Sequence, residues 1–167
     1  MKDFEDIYHE YNRDIYHFLL KLTCCQPELA EELLQETFYQ AFISFHRFQG
    51  RCSMKTWLCQ IAKNTFYNYV RHEKRQSRVV QECVPDSGGR SAEQEYERRE
   101  RLHHLSEAMT ALEEREQMII EYHLFAGLPH KEIAILMGMK ETTVKVAYSR
   151  ARIKLKKRLS EVYGYEI

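Results

Sequence analysis

Residues 128–159, LPHKEIAILMGMKETTVKVAYSRARIKLKKRL, constrain what this chain can fold into more than any other stretch. Ile133, Ala134, Leu136 and Met137 recur at helical spacing and give a short helix one apolar face. Gly138 follows them, where a helix stop favours a residue that tolerates φ > 0. Met139 is an apolar residue placed to plug the angle between two helices. A second helix is expected from Glu141 or Thr142, with Val144, Ala147, Tyr148, Ala151, Leu155 and Leu159 as its apolar stripe. Thr142, Lys145, Ser149, Arg152 and Lys156 are spaced 3, 4, 3 and 4, so they line the opposite face. Hydroxyl and cationic groups there suit phosphates and major-groove base edges. Helix, glycine turn and basic helix in this order make a helix-turn-helix. The plain alternative is a solvated basic face on a small helical domain.

Three Pro and six Gly in 167 residues leave room for long helices and argue against a strand-and-turn architecture. The expected fold class is all-α: two small helical domains joined by a flexible linker, the C-terminal one carrying the helix-turn-helix. No apolar run approaches the roughly 18 residues of a membrane span, and no signal peptide is visible, so no membrane insertion and a cytoplasmic location are expected. The five cysteines, Cys24, Cys25, Cys52, Cys59 and Cys83, include no CxxC and read as reduced thiols. Neighbouring helical residues such as His103 and His104 point about 100° apart, which discounts a metal site there. Neither a metal nor another cofactor is expected.

The formal net charge is zero, but the charge is patterned. Residues 1–50 hold four Lys/Arg and nine Asp/Glu, a net −5; residues 51–82 hold seven and two, a net +5. Residues 83–121 hold five and ten, again −5, and residues 122–167 hold nine and four, again +5. Two separate basic blocks imply two nucleic-acid contacts, and the acidic blocks call for a protein partner or for shielding of a basic face.

Taken in order, Phe4, Ile7, Tyr8, Tyr11, Ile15, Phe18, Leu19 and Leu22 mark an amphipathic helix over residues 3–22. Cys24 to Pro27 break it, and Pro27 suits the first turn of the next helix. That helix should run from Glu28 to Phe48, with Ala30, Leu33, Leu34, Thr37, Phe38, Ala41, Phe42 and Phe45 buried. Its other side carries Glu28, Glu31, Glu32, Gln35, Glu36 and Gln40, a face that either docks a basic partner or is simply solvated. A loop with Gly50 as its turn residue leads into a helix from Lys55 to Arg75. Trp57, Leu58, Ile61, Ala62, Thr65, Phe66 and Tyr69 form its core stripe, leaving Lys63, Asn64, Tyr67, Asn68, Arg71, Lys74 and Arg75 for the surface. Cations, rings and amides interleaved in this way suit a single nucleic-acid strand, whose phosphates, base faces and base edges need those three chemistries. Pro85, Asp86, Gly88, Gly89 and Ser91 fall within the linker, taken as residues 77–94. The chain then divides into domains 1–76 and 95–167. A charged helix from Ala92 to about Ala111 has a thin apolar edge of Tyr96, Leu102, Leu105, Ala108, Met109 and Leu112, and another helix spans Arg115 to Phe125.

The ordered set of segments resembles a bacterial RNA polymerase sigma factor of the small, two-domain extracytoplasmic-function (ECF) group. The resemblance rests on residues 32–38 (ELLQETF), 48–51 (FQGR), 55–58 (KTWL), 61–64 (IAKN), 112–116 (LEERE), 130–134 (HKEIA), 143–145 (TVK) and 149–152 (SRAR), and covers nearly the whole chain. It implies that Glu32, Gln35, Glu36 and Phe38 dock on the β′ clamp helices of core RNA polymerase. It implies that Arg51, Ser53, Met54, Lys55, Lys63, Asn64, Tyr67, Asn68 and Arg71 capture single-stranded bases of the promoter −10 element. Thr142, Thr143, Lys145, Ser149, Arg150, Arg152 and Lys156 then contact −35 DNA. An anti-sigma factor is the further partner implied; no small-molecule substrate is, and the chain is not an enzyme.

Four positions depart from the family pattern. Glu113 stands where many members have Pro, Lys140 where a Ser-like N-cap is common, and Val146 and Ala147 where polar or basic residues are frequent. A stand-alone helix-turn-helix regulator would account for residues 128–159 but leave the acidic helix and residues 57–75 unused. A helical adaptor without a DNA role would use neither basic block.

Overall fold

The computed structural model describes residues 3–76 and 91–166. Residues 77–90, which include most of the expected linker and Cys83, lie outside the described residues. The chain forms two compact units, one either side of that segment. All regular structure among the described residues is helical.

The first unit packs three helices against one another: α1 (Phe4–Leu22), α2 (Pro27–Ser44) and α3 (Met54–Gln76). Asp3 caps α1, its carboxylate accepting the Phe4 N–H at 2.7 Å. The break after α1 falls as expected: Cys24 and Cys25 both take left-handed φ, 51° and 62°, and the Cys25 N–H donates to the Leu20 carbonyl at 2.8 Å. Pro27, with φ already set for a helix, opens α2. Ile7, Ile15, Phe18, Leu19, Ala30, Leu33, Ala41, Leu58, Cys59 and Ala62 are buried in this unit.

Two expectations shift here. The second helix ends at Ser44 and tightens into a 3₁₀ turn at Phe45–Arg47 instead of running to Phe48. Phe45 and Phe48 turn onto Trp57, at ring-centroid distances of 6.3 and 5.1 Å, and this packing draws the chain off the helix axis. Phe42, expected in the core, is 62% exposed and meets the Phe4 ring edge-on at 5.2 Å. Ala41 takes the core position, and the next residue on a helix points about 100° away.

In the second unit α7 (Glu141–Tyr163) is the centre. Against it pack α4 (Ala92–Met109), α5 (Glu114–Ile120) and α6 (His130–Met137). Ala108, Met109, Leu112, Ile120, Ala151 and Leu155 form the core, with Leu105, Phe125, Tyr148 and Leu159 against it. Ser91 caps α4, accepting the Gln94 N–H at 3.3 Å, so that helix begins at Ala92 as expected, within the last residues assigned to the linker. Tyr96, expected on its apolar edge, is exposed, because α4 is buried mainly at its C-terminal end. The helix expected from Arg115 to Phe125 is α-helical only to Ile120; Glu121–Phe125 widen into a π turn that closes with the Ala126 N–H on the Glu121 carbonyl at 3.2 Å. Glu116 is buried and ties α5 to α7: Lys154 donates to its two carboxylate oxygens at 2.9 and 2.8 Å. The same carboxylate accepts the Glu113 N–H at 3.3 Å, so Glu113 serves the helix start without proline.

Candidate nucleic-acid interface

The first basic surface lies on α3 and the loop before it. Gly50 turns that loop at φ +66°, with Arg51 exposed beside it. Ser53 begins α3: its oxygen accepts the Thr56 N–H at 3.2 Å and its hydroxyl lies 2.8 Å from the Thr56 hydroxyl, so the group expected to meet DNA also caps the helix. Met54 and Lys55 are half-buried, and Lys55 pairs with Asp14 at 2.8 Å, fastening the start of α3 to α1. Farther along, Asn64, Asn68 and Arg71 are exposed, and Tyr67 is half-buried. Arg71 donates to the Asn68 side-chain oxygen at 2.6 Å and to the Tyr67 carbonyl at 3.4 Å, which orients the asparagine so that its amide nitrogen is the group left to donate.

A groove of about 870 Å³ runs between α2 and α3. Glu36, Gln40 and Ser44 form one wall and Asn64, Thr65, Asn68, Tyr69 and His72 the other. Gln40 donates to Glu36 at 2.7 Å. Residues expected to serve two separate partners, Glu36 for polymerase and Asn64 and Asn68 for DNA, therefore share one concave surface.

Two expected contacts are corrected by burial. Lys63 is only 3% exposed, and its ammonium lies 5.6 Å from the centroid of the Tyr67 ring. Because α3 packs against both α1 and α2, it buries a wide arc that takes in Thr56, Cys59 and Lys63 as well as Leu58, Ala62 and Thr65. Trp57, Ile61, Phe66 and Tyr69 of the expected stripe are only half-buried. Phe38 is 5% exposed and packs edge-on against Tyr8 at 4.8 Å and Phe4 at 6.4 Å, so it holds α2 in place and presents no surface to a partner. Glu32, Gln35 and Glu36 remain exposed.

The second basic surface is α7. Gly138 ends α6 at φ +62°, and the Met139 N–H closes the turn on the Ala134 carbonyl at 3.0 Å, with Met139 half-buried in the corner. No side chain caps the start of α7, where Lys140 stands. Thr142, Thr143, Lys145, Ser149, Arg150, Arg152 and Lys156 are all exposed. Lys145 pairs with Glu141 one turn back at 2.9 Å.

Periodicity alone does not reveal what lies behind that surface. His123 and His130 stack at 4.4 Å with their planes 13° apart, and Tyr148 meets both edge-on at 4.5 and 5.0 Å. His123 Nδ1 donates to the Leu128 carbonyl at 2.9 Å, while His130 Nε2 is buried without a hydrogen-bond partner among the described residues. Burial, then the neighbouring His123 and Lys145, hold the His130 imidazole below its ordinary 6.5, against an opposing pull from Glu141. These residues come from the π turn, α6 and α7, so no single helical pattern could announce the cluster. Among the described residues no three His, Cys, Asp or Glu side chains are grouped to hold a metal.

Comparison with known proteins matches residues 7–76 to Sigma-70 region 2 and residues 102–155 to Sigma-70, region 4. The ECF RNA polymerase sigma factor SigM of Bacillus subtilis strain 168 is 31% identical over 152 residues, covering 91% of this chain and 92% of its own. The chain belongs to the ECF sigma factors. A second relative from the same organism, RNA polymerase sigma factor YlaC, is 30% identical over 160 residues, covering 94% of this sigma factor and 92% of YlaC. The fold also matches that of the sigma factor RpoE from Bartonella quintana, solved with the anti-sigma factor NepR, at a TM-score of 0.66 and 22% identity over 96% of this chain and 98% of that one. CnrH, solved with the cytosolic domain of CnrY, matches at 0.66 and 18% identity over 95% and 88%. No helix among the described residues is long and apolar enough to cross a membrane.

Proposed function

We propose that this sigma factor binds core RNA polymerase and directs promoter-specific initiation through two separate DNA grips, one on each unit. The observation that supports this best is the pairing, in one chain, of an acidic α2 face beside the exposed amides of α3 with a basic reading face on α7. Glu32, Gln35 and Glu36 supply the docking contacts on the β′ clamp helices. Arg51, Asn64, Tyr67, Asn68 and Arg71, with Ser53, Met54 and Lys55 shaping the loop, capture non-template bases of the −10 element. Binding energy there offsets an unstacking cost of a few kcal/mol. Thr142, Thr143, Lys145, Ser149, Arg150, Arg152 and Lys156 contact −35 DNA. The domains are residues 1–76 and 95–167, with residues 77–94 between them. The chain acts in the cytoplasm, catalyses nothing itself and is held in check by an anti-sigma factor.

A stand-alone helix-turn-helix regulator would leave the α2 face and the α2–α3 groove without a use. Run-off transcription with purified core polymerase separates the two readings: promoter-specific transcripts are expected only when this protein is added. Glu36→Lys should weaken core binding roughly tenfold, since like charges then face each other across the interface, with the melting temperature unchanged. Unaltered core binding by this variant would remove α2 as the docking element.

A further inference from the structure

The α7 surface holds a feature that neither the basic stripe nor the family pattern accounts for. Thr142, Val146, Ser149 and Ile153, spaced 4, 3 and 4, form one line along the exposed side of the helix. Lys145, Arg152 and Lys156 flank it on one side, Arg150 and Lys157 on the other, and all nine are exposed. Val146, 50% exposed, is an apolar residue set between two basic rails, outside the hydrophobic core of its unit.

Resting on the assignment of α7 as the −35 reader, we propose that Val146 reads the C5-methyl group of a thymine in the −35 element. Rails of cations on either side direct a helix toward the two phosphate backbones and its middle line toward the groove floor. On that floor Thr142 and Ser149 can hydrogen-bond base edges, and Val146 cannot. Pressed against a carbonyl, ring nitrogen or amino group, Val146 would strip that group of water and return no hydrogen bond. The thymine methyl is the apolar feature of the major-groove edge, so it is the group whose burial Val146 rewards. Ile153 lies seven residues on, about 10.5 Å farther along the axis, and recognition helices touch bases mainly through their N-terminal residues. The discrimination is therefore assigned to Val146.

The test uses holoenzyme assembled from the full chain and core polymerase, with duplex promoters randomised across the −35 element. Wild type should enrich thymine at one position of one strand. Replacing that thymine by deoxyuridine removes the methyl and keeps every hydrogen-bonding group; it should weaken binding roughly fourfold, the worth of one buried methyl-sized group. Val146→Ser should lose the enrichment and bind thymine and deoxyuridine templates alike, whereas Val146→Ile should keep the preference, both with unchanged helix content by circular dichroism. A −35 preference that is indifferent to deoxyuridine at every thymine overturns the proposal and leaves α7 as the −35 reader. Absence of any −35 preference overturns that assignment, and the thymine contact with it.

Discussion

At the scale of single residues, the positions of Lys63 and Arg71 divide what the sequence presents as one basic face. The Lys63 stem is buried with its ammonium near Tyr67, while Arg71 is exposed and braces Asn68. Each phosphate that a cation neutralises on a single strand adds about 0.7 to the steepness with which log affinity falls against log salt. Arg71→Ala should make that dependence shallower by one such increment in holoenzyme binding to a −10 strand, measured from 50 to 200 mM salt. Lys63→Ala should leave the slope alone and destabilise the first unit by about 1–3 kcal/mol, because the stem no longer packs. A shallower slope for Lys63→Ala would place that ammonium on DNA after all. Spacing could not make this distinction: lysine combines a four-carbon apolar stem with a charge, and it fits either side of a helix boundary.

At the scale of elements, the α6–α7 corner was readable in detail, because each signal is local. Gly138 is needed for φ +62°, Met139 for the corner, and the stripe from Val144 to Leu155 for the core. What packs behind it was not readable. Burial of His130 in the stack with His123 and Tyr148 should make this corner sensitive to acid. His130 holds its proton less readily when folded than the ordinary 6.5. In the window below 6.5 the unfolded chain therefore binds more protons, and stability falls as pH falls. The melting temperature of the second unit should drop between pH 7.5 and pH 5.5, and His130→Gln should flatten that dependence. The carboxylates Glu107 and Glu141, both held below their ordinary 4.5, act only at more acidic pH. A wild-type melting temperature level across that interval would show that the stack does not resist protonation.

At the scale of the whole molecule, the four alternating charge blocks combine into two units, each joining an acidic part to a basic one. In each unit the basic block includes the last helix, α3 or α7, and each of these helices packs against every other helix of its unit. Each unit has its own buried core, so residues 1–76 and residues 91–167 produced separately should each be helical and melt cooperatively. Non-cooperative melting of either piece would mean that it depends on the other. By itself the sequence determined the helical class, the positions of the α-helices among the described residues to within a few residues, the helix-turn-helix and the family. Those follow from hydrophobic period, from glycine and proline punctuation and from ordered motifs, all of which act over a few neighbouring residues. Only the tertiary structure decided that Lys63 turns inward and Phe42 outward, and that Glu36 shares a groove with Asn64 and Asn68. Period fixes which residues share a face. How wide an arc is buried depends on how many neighbours a helix has, and that is settled only when the helices meet.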